Sequence, residues 1–226
     1  IFGFLVAREA YSTAILAPLF IVMSLLYGTA VYYLILRLIS KFHDTYITTD
    51  ILDNLKKLSV MFLFANLYFL GLYHVTNMYI AKHLDFEIFI LSSGGIYTIS
   101  FWVGQVFIGI ILPIIILSSN KLCTHLALTI SSILILIGSF IAMYVIIIGG
   151  QAYPLTIFPD HIIIDSSFFD NVVHSYIPSV YEFGLGIGGI ALALIIVLVG
   201  IANFKFLPTM ISSLHKKEAA EKSSDS

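Results

Sequence analysis

Five polar side chains in apolar surroundings are where this sequence could do chemistry. In "LSVMFLFANLYFLGLYHVTNMYIA", Asn66, Tyr73 and Asn77 fall within a wedge of about 40° on a helix, with His74 just beside them. Gln105 stands in "YTISFWVGQVFIGIILPIII". Histidine titrates near neutral pH, so it can take up a proton and give it back. With a tyrosine and amides around it, the group reads as a proton or quinol-headgroup path in which His74 is the titrating member. The plainer reading is that these groups simply hydrogen-bond to neighbouring helices, typically for well under about 2 kcal/mol each. Gln105, likewise, could hold a carbonyl or a water, or bond to a backbone carbonyl.

The elements that must position these residues follow from composition. The chain has 226 residues, 59% hydrophobic and 11% charged, with a mean hydropathy of +1.02. Soluble domains average about 45–50% apolar and about 25% charged, so the solvent of this chain is a bilayer. Its apolar residues fall in blocks long enough to span a hydrocarbon core, which takes about 20 helical residues. The sequence predicts an all-α, polytopic transmembrane helix bundle with five spans, at 11–36, 58–81, 96–117, 126–149 and 180–202. A membrane β-barrel would need short alternating segments, and runs such as "ISSILILIGSFIAMYVIIIGG" do not alternate. Pro18 and Pro113 each interrupt a helix ladder, which packed spans tolerate.

Lysine and arginine set the orientation. Arg37, Lys41, Lys56, Lys57, Lys121, Lys205, Lys216, Lys217 and Lys222 put nine of the eleven basic residues on one side, and Arg8 and Lys82 remain on the other. By the positive-inside rule the C-terminus, with a polar tail over 208–226, is cytoplasmic. The connection 151–178 is then extracytoplasmic, and at 28 residues with three Asp and no Lys or Arg it is long for a compact membrane domain. Loops of that length are usually functional or disordered, and this one is too rich in Ile, Phe and Tyr for disorder. It folds against the membrane surface, over a cavity, under a partner or as a lid without chemistry. Arg8, Gln151, Tyr153, Tyr176 and Glu182 form the rim at this level, where an Arg8–Glu182 pair is plausible.

Several functions are excluded or weakened. Gly184, Gly186 and Gly189 spell G-x-G-x-x-G in "YEFGLGIGGIALALIIVLVG", but no soluble βαβ unit surrounds them, so the dinucleotide reading fails. Gly184 and Gly188 are instead a small-xxx-small pair for close helix packing. Cys123 is alone, which leaves no cysteine cluster for a metal or an iron–sulfur centre. His74 and His125 lie at opposite membrane faces and cannot share one haem iron. No basic patch suggests nucleic acid. Ile1 is not an initiator methionine, and "IFGFLVAREAY" lacks the basic start of a signal peptide. The chain therefore reads as the C-terminal part of something longer.

"REAYSTAILAPLFIVMSLLYGTA", "FWVGQVFIGIILPIII", "IIGGQAYPLTIFP" and "SYIPSVYEFGLGIGGIALA" resemble the NrfD/polysulfide-reductase family of membrane subunits, in its ten-helix DsrP- and HybB-like branch. The likeness covers nearly the whole chain and makes 1–207 the C-terminal half of an NrfD-like membrane domain. It implies a haem-free subunit without an iron–sulfur cluster of its own, not catalytic alone, in a multi-pass bacterial inner membrane location. It also implies an extracytoplasmic, ferredoxin-like iron–sulfur partner and a catalytic redox subunit, in electron transport of anaerobic respiration. Quinone would be bound mainly by the N-terminal half. The family pattern places a carboxylate near Gln105, and an amide there cannot exchange a proton.

The sequence thus points to an integral membrane anchor subunit of a quinone-linked respiratory oxidoreductase complex. In that reading Asn66, Tyr73, His74, Asn77 and Gln105 belong to the polar path. The alternative is a secondary transporter or ion-conducting membrane protein, although no inverted repeat supports it.

Overall fold

A computed structural model of the protein describes residues 8–42, 47–119, 124–154 and 178–203. Among these residues there is no strand, and five helices are long and apolar enough to cross a membrane. The helices are α1 (Leu16–Phe42), α2 (Thr49–Tyr79), α4 (Ile96–Ser118), α5 (Thr124–Ala152) and α6 (Val180–Asn203), which are the five spans, and a short α3 (Leu84–Ile88) between α2 and α4. The protein is a multi-pass, all-α membrane protein. The Tyr176 candidate, the tail 208–226 and most of the 151–178 connection lie outside the described residues.

The chain divides into two units: 1–43 with 47–175, and 44–46 with 176–226. The first holds α1, α2, α4 and α5 as an antiparallel four-helix bundle in which each helix packs on its two ring neighbours. Buried residues recur at spacings of three and four, as left-handed bundles require. On α1 these are Leu19, Met23, Leu26, Ala30 and Tyr33; on α2 they are Leu63, Asn66, Leu70, Tyr73 and Asn77. The polar wedge of α2 therefore lies on the interior stripe, where polar side chains at membrane depth belong.

Lipid is as apolar as leucine, so close packing rather than hydrophobicity holds membrane helices together. The tightest approach is between α4 and α5. A Cβ on Gly109 would stand 2.9 Å from Gly138 Cα, and one on Gly138 would run into the Gly109 backbone. Gly104 packs likewise against the Ile141 side chain. By contrast, Gly184 and Gly188 on α6 have nothing within 4 Å of where a Cβ would stand. Their role as a packing face remains a proposal.

Among the described residues three stretches are π-helical: Phe89–Ser93 after α3, Ser100–Ile111 within α4 and Tyr144–Gly149 within α5. The wider turn shows in Leu112, whose N–H donates five residues back to the Phe107 carbonyl. Such stretches are rare and often mark functional positions. The α5 stretch is tied from outside, because the Tyr11 hydroxyl meets the carbonyls of Ile146 and Ile147 at 2.9 and 3.1 Å.

The helix boundaries differ from the apolar blocks at two places. α1 starts at Leu16, so Pro18 sits in its first turn, where a missing N–H breaks no ladder bond. α2 begins at Thr49, well before its apolar part, and carries Asp50, Asp53, Lys56 and Lys57 on the projecting turns. Pro113 opens the α-helical end of α4, directly after the π stretch.

Candidate functional site

The C-terminal ends of α2 and α5, the start of α4, the N-terminal turn Glu9–Tyr11 and α3 meet at one end of the bundle. Here α2 presents Tyr73, His74 and Asn77 in a single turn, and α3 places a carboxylate above them. His74 Nδ1 lies 2.6 Å from Glu87 Oε2, and Asn77 Nδ2 donates to Glu87 Oε1 at 2.9 Å. Both carboxylate oxygens are thus engaged. Glu87 is only 1% exposed and the His74 side chain 12%, so the pair is screened from water. The Tyr73 hydroxyl donates to the Ala10 carbonyl at 2.8 Å, fastening the N-terminal turn to α2. The edge of the His74 ring is fixed between Tyr73 and Phe101, at centroid distances of 4.9 and 4.7 Å.

A cavity of about 20 Å³ borders this cluster, lined by Tyr73, His74 and Gln105 among apolar side chains that include Ala10, Phe86 and Phe101. It is large enough for about one water molecule. Gln105 projects from the π-helical part of α4, is buried, and has its Oε1 unpartnered. Ligand pockets run to about 300–1,000 Å³, so a quinone ring does not fit this cavity. The described geometry instead suits proton handling, with an imidazole and a carboxylate hydrogen-bonded in a dry interior beside a water-sized space.

The structure brings Tyr73, His74, Asn77 and Gln105 together. Asn66 is buried on the same stripe, but it lies 11 residues before Asn77, about 16 Å along the helix. His125 begins α5 at the opposite end of the bundle, where its carbonyl accepts the Tyr33 hydroxyl. Glu87 and His83 are the residues that sequence reasoning missed. Glu87 could have been noticed as a lone carboxylate inside the apolar run "FEIFIL".

The rim candidates have structural partners. Arg8 Nη1 donates to the carbonyls of Gln151 at 2.8 Å, Tyr153 at 3.1 Å and Gly150 at 3.4 Å. It caps the C-terminal end of α5, where orphan carbonyls and the helix dipole favour a cation. Gln151 has an exposed side chain and Tyr153 packs its ring on Phe86 and Phe89. Burial pushes the Tyr153 hydroxyl above its ordinary range, with Glu9 and Asp85 adding to the effect. In the second unit, Glu182 takes the Ser179 N–H at 2.6 Å while Ser179 Oγ accepts the Glu182 N–H at 3.3 Å. That reciprocal pair is a capping box at the start of α6. Among the described residues no three His, Cys, Asp or Glu side chains converge as a metal site would need.

No solved structure matches the chain. An Hdr-like menaquinol oxidoreductase integral membrane subunit from Archaeoglobus fulgidus is 28% identical over 211 residues, covering 92% of this chain and 53% of that protein. The chain therefore spans about half the length of the curated relative it matches. The model of the family "Polysulphide reductase, NrfD" matches residues 1–154, which takes in the four-helix bundle and every residue of the His74 cluster; the chain belongs to the NrfD family.

Proposed function

We propose that this chain is part of an integral membrane subunit of a quinone-linked oxidoreductase complex, and that it moves protons at one membrane face. The carrying observation is the buried His74–Glu87 pair, held by Asn77 and bordered by a water-sized cavity. A buried ionisable pair is expensive, and such groups commonly form proton relays. The menaquinol oxidoreductase named for the relative supports the quinone link. Since the cavity is too small for a quinone ring, quinol would bind elsewhere in the complex and His74 would take up protons delivered through water. Electrons would pass through partner subunits with iron–sulfur centres, and the membrane would be the plasma membrane.

The test is Glu87→Gln in the full-length protein within its complex. Gln keeps the shape and a partner for His74 but cannot exchange a proton. Oxidation of a short-chain menaquinol should fall at least 10-fold, the size of effect expected of a positioned acid or base, with assembly unchanged. Unaltered turnover in Glu87→Gln and in His74→Ala would falsify the relay.

A further inference from the structure

The segment between α2 and α4 holds a second buried histidine that the His74–Glu87 pair does not use. His83 is only 4% exposed although it lies outside the spanning helices. Its Nε2 is 2.7 Å from Ser12 Oγ, and its Nδ1 has no hydrogen-bond partner. His83 directly precedes α3 in a helical conformation, and Glu87 follows four residues later. At that spacing two side chains share a helix face, with Cβ atoms about 5–6 Å apart. Glu87 therefore has one histidine bonded to it from α2 and another one turn away on its own helix, nearer the surface.

We propose that His83 is a second proton carrier, which links the Glu87 carboxyl to bulk water through Ser12 and the surface around Glu9. This rests on the relay reading of His74 and Glu87. A proton leaving the Glu87 carboxyl is accepted at the free Nδ1, giving an imidazolium. The ring then releases its Nε2 proton to Ser12 Oγ as the serine hydroxyl proton passes on to water. His83 returns to neutral in its other tautomer, and the starting tautomer is restored when water carries the Nδ1 proton across to Nε2. No electron or further reactant is involved.

The surroundings suit a carrier that must not hold its proton. The charged and titratable groups around it on the packed elements are Lys82, Asp85 and Glu87 beside it, Arg8, Glu9 and Tyr11 on the N-terminal turn, and Tyr73, His74 and Tyr79 at the end of α2. Burial lowers the His83 pKa from the ordinary imidazole value, and Lys82 lowers it further, against an opposing pull from Glu87. Glu9, whose Oε2 is buried without a partner, sits beside a second small cavity lined by Arg8, Ala10, Phe86 and Tyr153. Ala10 and Phe86 also line the His74 cavity, so the two spaces flank the same pair of side chains.

The experiment compares His83→Ala, His83→Gln and Glu87→Gln in the assembled full-length complex, reading menaquinol oxidation with and without added imidazole. The expected result is a loss of about 10-fold or more in all three, with imidazole restoring His83→Ala several-fold and leaving Glu87→Gln unrestored. Gln can still bond to Ser12 but carries no proton, so wild-type turnover in His83→Gln overturns the proposal. So does an assembled His83→Ala complex that imidazole does not rescue. If Glu87→Gln is slow while both His83 variants are normal, His83 alone is wrong and the relay stands. If all three are normal, the relay itself is wrong. Should His83→Ala fail to assemble, His83→Gln decides: a loss of about 10-fold supports the proposal and full turnover rejects it.

Discussion

Glu87 is a carboxylate between donors, and its neighbours should matter to stability as well as to turnover. Asn77 satisfies Oε1 from a wholly buried position. Asn77→Leu removes that donor and leaves a buried acceptor unpaired, which costs about 1–3 kcal/mol. We expect a lower unfolding midpoint for the detergent-solubilised protein. Acid should act through His83. Its pKa is lowered on folding, so the unfolded chain binds the proton more readily. The stabilisation is complete above the ordinary imidazole value of 6.5 and declines as the pH falls through and below it. Glu9 works in the opposite sense. Its pKa is raised by burial, against Lys82 and with Asp85, so its contribution is present in acid and lost as pH rises through the folded value. His83→Gln should flatten the loss of stability between pH 6.5 and pH 5, measured as the midpoint against pH. At this scale the sequence was half legible. The stripe of Tyr73, His74 and Asn77 could be read because 3.6-residue geometry and the cost of polar groups in lipid both point inward. Glu87 stands out only as a lone carboxylate in an apolar run, and the burial of both it and His83 is created by a short helix folding back between spans, a tertiary event with no periodic signal in five residues.

Elements carry the site by departing from ideal helix where it matters. The π-helical part of α4 holds Gln105 against the cavity, and that of α5 offers carbonyls to Tyr11. These two helices also touch backbone to backbone at Gly109 and Gly138. Gly138→Ala therefore has to push α4 and α5 apart, and overpacking of this kind costs about 1–3 kcal/mol. Gly71 in α2 has open space where a Cβ would stand, so Gly71→Ala should leave stability unchanged or raise it by up to about 1 kcal/mol through helix propensity. Thermal unfolding of the two variants side by side checks the contrast. If Gly138→Ala were as stable as Gly71→Ala, the close crossing would be wrong. The spans themselves were legible from hydropathy, since only lipid explains such blocks. Their ends were less so: α2 starts nine residues before its apolar part because charged turns outside the core still favour helix. The Gly-x-x-x-Gly of α6 is visible in the sequence, whereas the crossing of α4 and α5 uses one glycine from each helix, Gly109 and Gly138, and neither sits in a Gly-x-x-x-Gly pair. The S-x-x-E of Ser179 and Glu182, plain in the sequence, is the capping box at the start of α6.

Across the whole molecule, charge and chemistry are divided between the two ends of the bundle. Arg37, Lys41, Lys56 and Lys57 lie where α1 ends and α2 begins, while the His74–Glu87–His83 series, Arg8 and Lys82 lie at the other end. The positive-inside rule predicts that the first end is cytoplasmic, and on that orientation protons from the proposed relay would leave on the outer side. Quinol oxidation by the proposed complex would then add to a transmembrane proton gradient. Two cysteines test this. Asp50, exposed in the first turn of α2, lies at the lysine-rich end, and Asp50→Cys in a Cys123→Ser background reports on that end. Gln151, exposed beyond the π turn of α5, lies at the relay end, and Gln151→Cys in a Cys123→Ser background reports on it. A membrane-impermeant maleimide should label Gln151→Cys in intact cells and Asp50→Cys only in inverted vesicles. The reverse pattern would put the relay on the cytoplasmic face. His74 and Glu87 would then release protons inward, and quinol oxidation through this subunit would conserve no energy by proton release.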